Sequence, residues 1–282
     1  MNCFQRIEEY THRIPQEPKN EPEGGNEVLK GQEWPTRGEL EIVNLTAGYS
    51  PEKPVLTDID ARVYPGQRVA IVGRSGSGKS SLAATILGLT SKTDGRVLID
   101  GVNIDSVKVE ELRRGICFIP QNPMLFTGPL RFNLDFTGTV SDKKLRQILS
   151  DVMGDSDSLA KWSLDRQIER DGANLSQGER QLIAIARALA TSARIVIIDE
   201  ATASLDAESE GRMQKLLAER FSDKVVMAIA HRLVTIVEFD EVYVLDQGRI
   251  VERGVPRLLL ESRQGQFWKL WQSMDQQKRR DA

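Results

Sequence analysis

The sequence predicts an α/β fold: buried strands around a glycine-rich strand–loop–helix unit, an antiparallel β subdomain, and a helical subdomain. Three observations carry this. Gly73-Arg-Ser-Gly-Ser-Gly-Lys79-Ser80 lies between the apolar run Arg68–Val72 and the helical pattern Ser81–Gly88. Ile195–Ile198 and Val225–Ala230 are short, uninterrupted apolar runs of the kind that form strands buried on both faces. Between Asn122 and Ala190 strand signals fade and apolar residues recur at helical spacing.

Composition sets outer bounds. The chain has 282 residues, 40% hydrophobic and 28% charged, with a net charge of −3. That is ordinary for a globular protein and predicts no general affinity for nucleic acid. Cys3 and Cys117 are the only cysteines, so no disulfide framework is expected and a reducing compartment fits. The longest apolar runs are far too short to span a bilayer and the N-terminus lacks a signal-peptide core, so the chain as written is expected to be soluble.

In order, residues 1–14 carry Ile7, Tyr10 and Ile14 among charges, and 15–38 have the proline, glycine and acid content of a linker. The folded domain is expected from Glu39. Glu39–Val43 alternates as a strand, Ala47–Pro51 with Tyr49 is turn-rich, and Val55–Tyr64 is a further strand closed by Pro65-Gly66. Arg96–Asp100 and Ile116–Ile119 are the next strands. A helix is predicted over Asp142–Met153 from Leu145, Ile148, Leu149 and Val152. Another starts at Leu175-Ser-Gln-Gly-Glu-Arg180, where Ser176 and Glu179 fit a capping box. Val242–Leu245 and Arg249–Glu252 flank Gln247-Gly248 as a hairpin. Residues 256–282 read as a helical tail whose Leu258, Leu259, Phe267, Trp268, Leu270 and Trp271 pack back, with Lys278–Arg280 as a solvated end.

The loop Gly73–Ser80 fits G-x-x-x-x-G-K-[ST], the P-loop, in the strand–loop–helix context that motif requires. Gly73, Gly76 and Gly78 admit a phosphate to the backbone, and the helix N-terminus adds partial positive charge. Lys79 is placed for the β- and γ-phosphates and Ser80 for Mg²⁺. Asp199-Glu200 ends a buried strand, where carboxylates are costly unless paired or metal-bound. Asp199 is thus the Walker B candidate for Mg²⁺, and Glu200 is positioned to orient or deprotonate water. His231 follows the Val225–Ala230 strand, at the end where ligands collect in open α/β sheets. The start of the Ser176–Gly178 helix reads equally as a capping box and as an anion site.

The order Tyr49, Gly73–Ser80, Gln121, Leu175–Arg180, Ile195–Glu200, Ser204-Leu-Asp206 and His231 resembles the nucleotide-binding domain of ATP-binding-cassette (ABC) transporters. The resemblance covers about 39–265 and rests above all on Leu-Ser-x-Gly between P-loop and Walker B strand. It implies a RecA-like P-loop NTPase core of ABC ATPase type, with ATP and Mg²⁺ bound. Gly73, Arg74, Ser75, Gly76, Ser77, Gly78, Lys79, Ser80 and Ser81 would contact nucleotide, and Tyr49 would stack on adenine. Ser80, Gln121 and Asp199 would serve the metal, and Glu200, His231 and Lys79 catalysis. Gln121 would couple to membrane domains. Ser176 and Gly178 would reach ATP held by a second nucleotide-binding domain in a head-to-tail dimer, with Asp206 at that interface. The resemblance implies residence at the cytoplasmic face of a membrane, through a parent transporter.

Finer features resemble the multidrug-resistance-associated subfamily C. Arg6–Tyr10 with Pro15–Pro18 resembles its linker after the last membrane helix, so that 1–38 would follow a missing transmembrane domain. Ile119–Gly128 and Arg131–Asp135 resemble its second nucleotide-binding domain. Two departures stand out. Glu179 replaces the family's glutamine, adding a negative charge that is expected to weaken the site completed on the partner. Phe136 replaces the subfamily's usual proline. The chain is expected to be a fragment, a truncated product or a separate subunit, with 266–282 as a C-terminal tail. The alternatives are an ABC module that binds ATP without efficient turnover, or an ABC ATPase outside transport.

Overall fold

The computed structural model describes residues 33–154, 161–199, 207–230 and 233–280. The strands are β1 (Leu40–Gly48), β2 (Leu56–Val63), β3 (Arg68–Val72), β4 (Ser91–Ile99), β5 (Val102–Asn103), β6 (Ile116–Ile119), β7 (Gly128–Pro129), β8 (Gln167–Ile168), β9 (Ile195–Asp199), β10 (Val225–Ile229), β11 (Glu241–Asp246) and β12 (Arg249–Gly254). The helices are α1 (Lys79–Ile86), α2 (Val109–Gly115), α3 (Leu130–Leu134), α4 (Asp142–Met153), α5 (Gln177–Ala190), α6 (Ala207–Arg220), α7 (Pro256–Ser262) and α8 (Gly265–Arg280).

The apolar runs form a six-stranded sheet in the order β12-β11-β3-β10-β9-β6. All neighbours are parallel except the edge hairpin β11–β12. Side chains of a strand alternate between faces, and here the alternation divides two cores. Ala70, Val72, Val196, Ile198, Val226, Ala228, Val242 and Val244 join the core beneath α4, α5 and α6. Val69, Ile71, Ile195, Ile197, Val225, Met227, Tyr243 and Leu245 join the core shared with α1 and the antiparallel sheet β2-β1-β4-β5. Both faces are therefore dry, which is why these strands read as unbroken apolar runs.

The structure extends the sequence reading in places. β4 begins at Ser91 rather than Arg96, because its first half is mostly exposed and carries no apolar alternation. Helices α2 and α6 had not been expected. Leu258 does not pack back: it is 61% exposed, whereas Leu259, Leu260, Leu270 and Trp271 pack on the core and Phe267 is fully buried. One helical step of about 100° turns Leu258 away from the face its neighbours use. Cys117 packs against the core, and burial pushes its thiol up to about 11, leaving it protonated and unreactive at neutral pH.

Residues 33–38, expected as linker, are docked. Trp34 Nε1 donates to Ile99 O at 3.2 Å, and the backbone N–H groups of Thr36, Arg37 and Glu39 donate to the Asp100 carboxylate at 2.8–2.9 Å. Burial works against the charge on Asp100, but these N–H groups outweigh it and hold the carboxyl below its ordinary value. A depressed carboxyl stabilises the fold above its unfolded pKa, and that contribution fades as pH falls through the folded value. Asp100→Asn, which keeps the left-handed backbone Asp100 adopts (φ 50), is expected to cost about 1 kcal/mol at pH 7, a low figure because the carboxylate is partly exposed. Thermal melts of both proteins at pH 7 and pH 3 check this: the difference should shrink at pH 3.

Candidate functional site

Parallel pairing brings the chemistry to one edge. In register, Ile229 lies beside Ile71 on one side and Asp199 on the other. Ile119 pairs with Ile198. The chain leaving β3 thus enters Gly73–Ser80 at the edge where β9 ends in Asp199 and β6 runs out to Gln121. The carboxyl ends of parallel strands are where open α/β sheets bind ligands.

The loop is built around its glycines and Lys79. Gly73, Gly76 and Gly78 have φ of 156, 77 and 106°. A Cβ on Gly73 would sit 2.2 Å from Leu245 O and 2.5 Å from Ser77 Oγ. At Gly76 nothing stands within 4 Å of where a Cβ would be, leaving open room on that side of the loop. Lys79 is 6% exposed and its Nζ donates to Gly73 O (3.0 Å) and Arg74 O (2.9 Å), so the cation lies across the loop. Helix α1 starts at Gly78 with no side-chain cap and no acid in its first turn. Its first N–H groups have no partners within the helix, which suits an anion.

Two observations fit phosphate and a hard cation. Ser77 Oγ is buried and has no hydrogen-bond partner, an orphaned donor inside the loop. The hydroxyl of exposed Ser80, the amide oxygen of exposed Gln121 and the carboxylate of half-buried Asp199 would offer an all-oxygen donor set. Among the described residues no three His, Cys, Asp or Glu cluster to hold a metal alone. Mg²⁺ does not need such a cluster, since one or two protein ligands, waters and phosphate oxygens suffice. Arg74 and Ser75 are exposed on the loop. Tyr49 is 66% exposed beside α1, its hydroxyl accepting from Ser81 Oγ at 3.4 Å. Glu200, Ser204–Asp206 and His231 lie outside the described residues.

Ser176 and Gly178 belong to a different layer from the phosphate loop's helix. They head α5, whose Ile183 and Ala186 pack in the core on one face of the sheet, whereas Leu82 and Ile86 of α1 pack in the core on the other. The capping box is present: Ser176 Oγ accepts from Glu179 N (3.2 Å) and Glu179 Oε2 accepts from Ser176 N (2.8 Å). The two readings of Ser176 do not compete, because a hydroxyl that accepts one bond still has its proton to donate. Glu179 also accepts from Lys161 Nζ. Burial would raise its pKa, but Lys161 and the Ser176 N–H hold the carboxyl below its ordinary value. Its added charge is thus neutralised locally instead of facing outward alone.

Sequence reading missed the side chains that hold the Gln121 segment. Fully buried Gln181, on α5, donates to Gln121 O and to Pro120 O (3.4 Å). Asn133, also fully buried, exchanges two 2.8 Å bonds with the backbone of Phe126. Arg187 donates to Asn133 O (2.8 Å) and Met124 O (3.2 Å) and lies 4.8 Å from the Phe136 ring centroid. The one available signal was a glutamine at a buried position of a strongly apolar helix. Next to this segment Phe126, Phe132 and Phe136 stack edge to face in a mutual triad, each 43–48% exposed, with Met124 72% exposed.

Comparison with known proteins identifies the family. The family described as ABC transporter matches residues 56–203. The chain is 41% identical over 280 residues to the ATP-binding cassette transporter abc1 of Schizosaccharomyces pombe, covering 96% of this chain and 19% of that protein. It is 41% identical over 277 residues to ATP-binding cassette sub-family C member 10 of Mus musculus, covering 98% of this chain and 18% of that protein. It therefore spans about a fifth of the length of these curated relatives. Among solved structures it resembles a bacterial Atm1-family ABC exporter with ATP bound, with a TM-score of 0.79 and 33% identity over 85% of this chain and 42% of that one. The family's match runs from β2 across the phosphate loop and past the strand that ends in Asp199, and with it this chain belongs to the ABC transporter family as an ATPase domain.

Proposed function

We propose that this chain is the MgATP-hydrolysing domain of an export transporter, completed by a second nucleotide-binding domain and by membrane domains. The observation that carries the proposal is the phosphate loop with Lys79 laid across it, on the sheet edge where β9 ends in Asp199. Ser80, Gln121 and Asp199 would hold Mg²⁺, which when bound neutralises charge on the β- and γ-phosphate oxygens. Lys79 and the amides from Gly73 to Ser81 bind the phosphates, and Tyr49 offers its exposed ring to adenine. Glu200 orients or deprotonates the attacking water, and His231 contacts the γ-phosphate. Catalysis of this kind is mostly positioning and electrostatic stabilisation.

The placement of Ser176 and Gly178 in a different layer from the chain's own phosphate loop supports a head-to-tail dimer. In it each Leu-Ser-x-Gly completes the other subunit's site. Among the described residues no helix is long and apolar enough to cross a membrane. The exposed Phe126, Phe132 and Phe136 triad, beside the segment that Gln181 and Arg187 hold rigid, suits docking by membrane domains. Movement at Gln121 would reach that surface through the tethered backbone. The relatives' names, including subfamily C member 10 and an exporter, support export as the direction and subfamily C as the lineage. A place as the second of two cassettes fits Glu200.

Light scattering of Glu200→Gln on a sizing column, with and without MgATP, tests this. Mass that doubles with ATP means the chain completes two sites with its own copy. A monomer that binds ATP assigns Leu175–Glu179 to a different cassette. A chain that binds no ATP overturns the proposal.

A further inference from the structure

The turn between β11 and β12 is remote in sequence from the phosphate loop, yet it lies directly under it. Parallel pairing of β11 with β3 sets Val244 beside Val72, so the next residues of each strand leave the sheet together. Leu245 O closes against Gly73, leaving no room for a Cβ there. Gln247 and Gly248 both have positive φ (46 and 76°), the geometry of a tight two-residue hairpin turn. Gly248 N donates to Ser77 O at 3.0 Å, and Gly248 O accepts from Thr57 N at 2.9 Å. Thr57 lies in β2, which follows the Tyr49 loop, and that loop is closed by Val55 N donating to Ala47 O at 2.8 Å. A Cβ on Gly248 would meet Val55 O at 2.0 Å. A Cβ on Gly78 would be 3.6 Å from Gly248 Cα.

We infer that Gly248 is a positioning residue for nucleotide binding. Its peptide groups clasp the phosphate loop on one side and the strand behind the adenine loop on the other. The inference rests on the reading of Gly73–Ser80 as a nucleotide site. A side chain at 248 must push on Val55 O, a backbone atom that cannot rotate away, so the turn, and with it the Ser77 carbonyl, has to shift. Nucleotide affinity depends on loop amides aimed at charged phosphate oxygens, and losing one such hydrogen bond costs about tenfold or more.

Gly101 is a matched control. Its φ is 77° and nothing lies within 4 Å of a Cβ built on it, so Gly101→Ala carries the same backbone strain without the steric push. ATP affinity by titration calorimetry and thermal melts are measured for wild type, Gly248→Ala and Gly101→Ala. Both variants are expected to melt earlier, while only Gly248→Ala loses affinity, by about tenfold or more. Affinity within twofold of wild type for Gly248→Ala, or an equal loss in Gly101→Ala, overturns the inference and leaves the nucleotide site intact. Absence of ATP binding by wild type overturns the site itself. If Gly248→Ala does not fold, amide exchange in wild type decides. ATP should slow exchange at Gly248 and Thr57, whose bonds form the clasp, and unchanged rates there would remove it.

Discussion

Lys79→Ala is expected to lower ATP affinity by about a hundredfold. The side chain is buried and its ammonium lies over the loop, donating to Gly73 O and Arg74 O. Bound phosphate oxygens would take those donors, exchanging neutral acceptors for charged ones. Hydrogen bonds to charged groups are worth about 1.5–3 kcal/mol each, and about 2.7 kcal/mol corresponds to a hundredfold. Alanine removes the charge and also the two bonds that now keep the loop folded on itself. Calorimetric titration beside a thermal melt separates these effects: a protein with a near-normal melt and lost affinity supports the role given to Lys79. Unchanged affinity would remove the phosphate-loop assignment altogether.

Glu200→Gln is expected to separate binding from turnover. Glu200 follows Asp199, the last residue of β9, and is assigned the attacking water rather than the nucleotide. Glutamine keeps the shape but cannot accept a proton. Hydrolysis should fall by about 10²- to 10⁴-fold, the span general-base catalysis supplies, while ATP affinity stays within a few-fold. Single-turnover hydrolysis with the completing partner present is the measurement. Turnover that persists would assign the base elsewhere. Parallel loss of affinity would place Glu200 in the nucleotide pocket instead.

How much of this was legible in the sequence depended on how local each signal is. The central strands β3, β9 and β10 were legible because strands dry on both faces appear as continuous apolar runs, and β11 and β12 because Gln247-Gly248 marks their hairpin. The phosphate loop was legible because its glycines, lysine and serine act within eight consecutive residues. The start of α5 was equally readable, its capping box being complete in Ser176–Glu179. Helix α6 was missed although Met213, Leu216 and Leu217 are buried at helical spacing, because Gly211 and six acidic or basic residues dilute that stripe. The early part of β4 was missed because exposed antiparallel edges need no apolar alternation.

Composition, periodicity and short motifs determined the fold class, the candidate phosphate loop and the carboxylates after β9, since each is written in neighbouring residues. Tertiary structure alone decided the rest. Pairing set Asp199 two strands from the loop, Gln181 against the backbone of Gln121, Lys161 against Glu179, and Gly248 beneath Ser77. These are contacts of backbone carbonyls, amides and long side chains between segments distant in the chain. No periodicity encodes such pairs, because a hydrogen bond constrains two positions in space and not the spacing between them in sequence.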